Sequence, residues 1–141
     1  MTIGIIKERK TPPDRRVVFT PEQLAELEKT YQDLQFVVEP SDIRIFSDDA
    51  YKKYGLKVDS DLSDCEVLLG VKEVPIEALI PNKSYFFFSH TIKKQTYNRD
   101  LLKAILDKNI SLYDHEVITS PKGYRLIGFG RYAGLVGTYN G

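Results

Sequence analysis

The stretch CEVLLGVKEVP, Cys65 to Pro75, decides the fold. Val67 to Val71 is an apolar run broken only by Gly70, and it ends abruptly in Lys72 and Glu73. A strand with one solvated face would alternate apolar and polar residues. A continuous run fits a strand covered on both faces, as in the middle of a parallel sheet. Pro75 lacks an N–H and ends the extension.

Working outward, Thr2 to Lys7 is a short buried strand, followed by the loop ERKTPPDRRVVF. Thr20-Pro21-Glu22-Gln23 opens a helix, with threonine as N-cap, proline at the first position and glutamine three residues after the cap. Leu24, Leu27 and Tyr31 give it one apolar side. QFVVEP is a strand, and a short helix from about Ser47 is closed by Gly55. Beyond the opening stretch, Pro75 to Ile80 is a short helix and SYFFFSH (Ser84–His90) a second buried strand. Arg99 to Lys108 is amphipathic, with Leu101, Leu102, Ile105 and Leu106 grouped on one side. ISLYD is a strand, and EVITSPKGYRLIGFG forms a β-hairpin turned at Ser120-Pro121-Lys122-Gly123. Alternating strands and helices predict an α/β domain: a largely parallel twisted sheet, Rossmann-like or flavodoxin-like, flanked by helices.

The chain has 141 residues, enough for one domain with its own core. Twenty basic residues balance twenty acidic ones, so no net field recruits nucleic acid or anionic lipid. A lone cysteine, Cys65, supplies neither a disulfide nor a cysteine metal cluster. MTIGIIKERK is too briefly apolar for a signal peptide, and no segment approaches a membrane span. A cytoplasmic location without membrane or nucleic-acid partners is the expectation, and no metal site is predicted.

In parallel sheets ligands gather beyond the carboxyl ends of the strands. Three polar groups fall there. The basic loop KERKTPPDRR can clamp a carboxylate through an arginine fork, or it is a solvated loop with Asp14 paired locally. Lys72, beside Glu73, can act as a base if its solvation is reduced, or it faces water. His90 follows a buried strand and can move protons near neutral pH, or it is structural. Gly128-Phe129-Gly130-Arg131-Tyr132-Ala133 satisfies G-x-G-x-x-G/A but lacks the further strand and later acidic residue of a dinucleotide site. Its glycines are read as allowing close packing at a helix start. His115 has no metal-ligand partner at zinc spacing and is read as an exposed strand residue. Glu116 either faces the cleft and tunes its basic groups or lines a strand edge.

With these residues assembled, the chain resembles the N-terminal substrate domain of the alanine dehydrogenase and transhydrogenase superfamily, and within it the NAD-dependent, lysine-forming saccharopine dehydrogenases. The matching pieces are GIIKERKTPPDRRVVFTPEQ, GVKEVP, SHTIKKQ, LYDHE and GYRLIGFGRYAGLVG. The resemblance implies that residues 1–141 are one substrate domain of a two-domain dehydrogenase. NAD would be bound mainly by a following Rossmann domain, against which this one docks. It implies that Lys72 and His90 are catalytic, taking the proton of the substrate amine and serving the water that adds to the imine. Arg16, Gln95 and Arg125 would bind an amino-acid substrate rich in carboxylates. Glu73 and Glu116 would tune the lysine and histidine, and Phe129 would approach the cofactor. The family usually has an aromatic and an acidic residue inside H-x-x-K-x-Q, where this chain has Ile92 and Lys94. The expected reaction is oxidative cleavage of saccharopine to lysine and 2-oxoglutarate, with the isolated domain inactive. Alanine oxidation, or a binding module without chemistry, are the alternatives. A transhydrogenase subunit is disfavoured by GYRLIGFGRYAG.

Overall fold

A computed structural model of the chain describes residues 1–140. Six parallel strands form one sheet: β1 (Thr2–Ile5), β2 (Gln35–Val38), β3 (Lys57–Val58), β4 (Val67–Lys72), β5 (Ser84–Phe88) and β6 (Ser111–Asp114). Their order is β3-β2-β1-β4-β5-β6, the doubly wound arrangement in which the chain reverses direction of growth between β1 and β4. The helices are α1 (Pro21–Thr30), α2 (Asp48–Lys53), α3 (Arg99–Asp107) and α4 (Gly130–Asn140).

Alternate residues of each strand feed opposite layers. Ile3 and Ile5 join Phe36 and Val38 against Leu24 of α1 and Tyr51 of α2. On the other face Leu68, Tyr85 and Phe87 pack on Leu101 and Ile105 of α3. Burying each such side chain contributes about 1.5–3 kcal/mol. Gly70 lets β1 approach β4, since a Cβ there would lie 2.8 Å from Ile6 Cδ1.

The local signals explain the helix ends. The Thr20 hydroxyl accepts from Gln23 N–H while the Gln23 side chain accepts from Thr20 N–H, a complete capping box. Ser47 caps α2, and Gly55 follows it at φ +81°.

Several expectations need correction. Only Leu101 and Ile105 of α3 are buried; Leu102 and Leu106 are exposed, because the sheet covers one i, i+4 row of this helix and not its neighbour. Tyr31 is exposed beyond the end of α1. The predicted hairpin is reduced to a turn with Gly123 at φ +81° and a single bridge, Thr119 to Arg125. Residues 121–126 are all exposed, so no buried face holds a longer ladder. Gly128 and Gly130 have nothing within 4 Å of a notional Cβ, so close packing does not account for them. The two-residue edge strand β3 has no counterpart in the sequence reading. Among the described residues no helix is long and apolar enough to cross a membrane, and no cluster of three His, Cys, Asp or Glu is placed to hold a metal.

Candidate active site

The carboxyl ends of β1, β4, β5 and β6 lie side by side, and two groups of side chains form there. The first spans β1 and β4. Glu8, just past β1, accepts the backbone N–H of Val71 at 2.7 Å and of Lys72 at 2.8 Å. It therefore ties down the end of β4, where the pairing with β5 shifts register. Burial raises the Glu8 carboxyl above its ordinary range, against those two N–H bonds.

Asp14 takes the side edge of Arg16. Nε donates to Oδ1 at 2.9 Å and Nη2 to Oδ2 at 2.5 Å. The guanidinium holds the Asp14 carboxyl below its usual range, and Arg16 is raised in turn. Arg16 has five donors in a planar fork, so its end edge, Nη1 with the second Nη2 hydrogen, stays open to another carboxylate. Its Cζ lies 4.5 Å from the centre of the Phe129 ring.

Lys10 pairs with Glu73. Burial works against ionisation of Glu73, but the Lys10 ammonium, with Lys72 nearby, holds its carboxyl below the ordinary value. Glu73 is thus engaged first by Lys10 and only more distantly by Lys72. Lys72 is half-buried and makes no ion pair among the described residues. It borders a cavity of about 460 Å³ with Lys10, Pro12, Pro13, Asp14 and Arg15.

The second group spans β5 and β6. Lys72 pairs in register with Phe88, two residues before His90, so the two candidate proton carriers sit on adjoining strand ends. His90 Nδ1 lies 2.9 Å from Glu116 Oε2. Lys93 and Arg125 reach the other oxygen of Glu116, at 3.2 and 3.5 Å. The His90 hydrogen bond, then Lys93, hold the Glu116 carboxyl low. Lys93 Nζ also lies 3.2 Å from Nδ1. Because a carboxylate can only accept, the Glu116 contact puts a proton on Nδ1 and, in the neutral ring, the lone pair on Nε2. Phe88 joins the groups: its ring centre is 6.3 Å from His90 and 6.1 Å from Phe129, which in turn lies under Arg16.

Gln95 is not drawn into this network. It is exposed, and its side-chain oxygen accepts from the Tyr97 hydroxyl at 2.5 Å. His115 also departs from expectation. It is 6% exposed and begins a single 3-10 turn after β6, because the Asp114 side chain accepts from Glu116 N–H and ends the strand. Its Nε2 donates to the Gly70 carbonyl at 3.1 Å, its ring meets Phe88 edge-on at 5.2 Å, and Nδ1 has no partner. Burial lowers its pKa from the ordinary value, so the neutral ring is favoured.

Sequence reasoning missed Glu8 and Lys93 as site neighbours. The signal for Glu8 was an acidic residue directly after a buried strand, hidden within the charge run KERK. Phe129, the cofactor contact expected, is an exposed ring that packs on Phe88 and under the Arg16 guanidinium. Gly128 to Ala133 enters α4 after the lone Arg125 bridge, not after a strand, so among the described residues there is no strand–loop–helix phosphate cradle.

Residues 4–136 match the family described as alanine dehydrogenase/PNT, N-terminal domain. The chain is 40% identical over 139 residues to the alpha-aminoadipic semialdehyde synthase of Arabidopsis thaliana, covering 96% of this chain and 13% of that protein. It is 30% identical over 143 residues to the NAD(+), L-lysine-forming saccharopine dehydrogenase of Candida glabrata, covering 97% and 38%. Among solved structures, an L-alanine dehydrogenase superposes with TM-score 0.69 at 20% identity, covering 87% of this chain and 34% of that one. A transhydrogenase from Sinorhizobium meliloti gives 0.68 at 18%, covering 84% and 36%. The chain thus spans well under half the length of these relatives. With a matching family model over nearly its whole length and a relative 40% identical over 96% of the chain, it belongs to the alanine dehydrogenase/PNT N-terminal domain family.

Proposed function

We propose that this chain is the substrate-binding and acid–base domain of an NAD-dependent dehydrogenase that cleaves saccharopine to lysine and 2-oxoglutarate. The observation that carries this reading is the pairing of strand ends: a lysine amine without an ion pair at the end of β4, and a carboxylate-anchored imidazole just past β5. NAD supplies the acceptor for hydride from the carbon that bears the amine. Before hydride can leave, the secondary ammonium must lose a proton, and Lys72 takes it. Water then adds to the imine carbon while His90 Nε2 accepts its proton. Returned to nitrogen, that proton lets the C–N bond break while His90 Nε2, free again, takes the proton of the new hydroxyl, releasing the amine of lysine and the carbonyl of 2-oxoglutarate.

Arg16 binds a substrate carboxylate through its open edge. Arg125 and Lys93, both about half-exposed and sharing Glu116, face a polyanionic substrate as a second cationic patch. Gln95 reaches substrate only if it leaves Tyr97. Phe129, packed on Phe88 and under Arg16, would contact the nicotinamide. The exposed apolar side chains Leu126, Tyr132, Leu135 and Val136 are consistent with this end of the chain packing on a following NAD domain.

The test is a steady-state comparison in the complete protein. Saccharopine should be turned over with the higher kcat/KM, and alanine poorly. The 141-residue chain alone should show no NAD-dependent turnover. A higher kcat/KM for alanine would move the assignment to alanine oxidation, and binding without turnover of either would leave a recognition module.

A further inference from the structure

Ser89 and Asp114 are buried and have no part in the proton transfers proposed above. They meet across the ends of β5 and β6: the Ser89 hydroxyl donates to Asp114 Oδ2 at 2.5 Å. The other oxygen, Oδ1, accepts the backbone N–H of Glu116 at 2.8 Å. Ser89 Oγ also receives the backbone N–H of Thr91 at 3.2 Å and lies 2.8 Å from the Thr91 hydroxyl. These bonds run from the residues on either side of His90 to the residue that pairs with its Nδ1.

His90 itself has left-handed backbone, φ 57° and ψ 12°, which a residue with a Cβ adopts only when its surroundings impose it. The imposing contacts are the Ser89–Thr91 bonds and the Asn98 side chain, which donates to the His90 carbonyl at 3.1 Å. Without them the segment would relax toward ordinary φ and carry the imidazole away from Glu116.

We propose that the Ser89–Asp114 pair is a positioning device. One buried carboxylate fixes the backbone that carries His90 and the backbone that carries Glu116, so that Nδ1–H meets Oε2 and Nε2 is left to work. Asp114 and Ser89 are thus positioning residues, and they act through His90. The consequence for turnover rests on the acid–base reading of His90, whereas the geometric claim does not.

Because the chain has two histidines, nitrogen-15 spectra of the imidazoles test the geometry directly, with His115 as an internal control and His90→Gln for assignment. Ser89→Ala and Asp114→Ala should move the His90 Nδ1 resonance toward that of an exposed imidazole. Ser89→Ala should leave His115 in place, whereas Asp114→Ala, which also alters the turn that carries His115, is read on His90 alone. Asp114→Asn should restore much of the native position, since an amide oxygen can still take the Glu116 N–H while the NH₂ reaches Ser89 Oγ. Should Asp114→Ala fail to fold, Ser89→Ala carries the test, because it removes a single oxygen. An unmoved His90 signal in Ser89→Ala overturns the proposal, and so does a parallel shift of both histidines, which would mark general loosening. In the complete protein, Ser89→Ala should lower kcat by about tenfold with KM nearly unchanged, as misaimed catalytic groups do. If His90→Gln leaves turnover intact, the acid–base reading fails while the spectral result still judges the positioning device.

Discussion

The two groups at the carboxyl edge treat charge in opposite ways. Between β1 and β4 each carboxylate is committed: Glu8 to two backbone N–H groups, Asp14 to Arg16, Glu73 to Lys10. Among the described residues Lys72 is left without an ion pair, as is Arg15 on the same cavity. Between β5 and β6 a single carboxylate, Glu116, serves His90, Lys93 and Arg125. The first arrangement leaves a lysine whose amine is tied to no carboxylate. The second fixes the orientation and tautomer of an imidazole. On the proposed reading, a base that collects a proton and a histidine that passes one in a set direction use those different settings.

Removing either proton carrier should give the largest effect. General acid–base groups contribute about 10²–10⁴-fold, so Lys72→Met and His90→Gln should each lower kcat by that order in the complete protein. The double variant should lose less than the product of the two, as groups serving one reaction sequence do. Thermal melts of both variants should stay near the parent. A destabilised domain with near-normal kcat in His90→Gln would reduce the second group to a structural ion cluster and erase the contrast.

Arg16 gives a smaller and more directional test. Lysine there keeps the charge but loses both edges of the fork, and KM should rise by about tenfold. Asp14→Ala should also raise KM, by less, because it removes only the contact that holds the guanidinium in place. A lower KM in Asp14→Ala would mean that Asp14 competes with substrate for Arg16. Unchanged KM in Arg16→Lys would return the loop to the solvated reading.

How far this was legible from sequence depended on whether the information was local. The run Val67–Val71, the capping box at Thr20 and the glycine after α2 each act within a few residues, and the parallel sheet and helix ends followed from them. Lys72 and His90 could be placed at strand ends for the same reason. What no local pattern gave was which side chains meet across strands; the resemblance alone set Glu116 beside the histidine, and nothing pointed to Glu8. Glu116 is 26 residues from His90, and Glu8 is 64 from Lys72. Their partnership depends on strand order, which no local pattern encodes. The hairpin failed for the converse reason: its turn chemistry was right, but no core lay beneath residues 121–126 to extend it.

The smallest expected effect concerns the histidine that the sequence placed on the surface. His115 is buried beneath Phe88, next to the His90 group, yet its own setting is apolar and its Nδ1 is unpaired. Burial lowers its pKa in the folded chain, so over a range of pH the unfolded chain binds a proton that the folded one refuses. Stability from this source is complete above the unfolded value of about 6.5 and declines as pH falls through the folded value. Glu116 and Asp14, also lowered, add the same sign of dependence further down, below their unfolded values of about 4. Acid should therefore weaken the fold in two stages. His115→Phe keeps a ring against Phe88 and removes the titrating group, at a cost of about 1 kcal/mol for the lost bond to Gly70. In melts from pH 7.5 downward, the variant should lie flat through the upper stage, where the parent already declines, and fall with it in the lower one. An equal decline of both proteins just below pH 6.5 would assign the upper stage to a group other than His115.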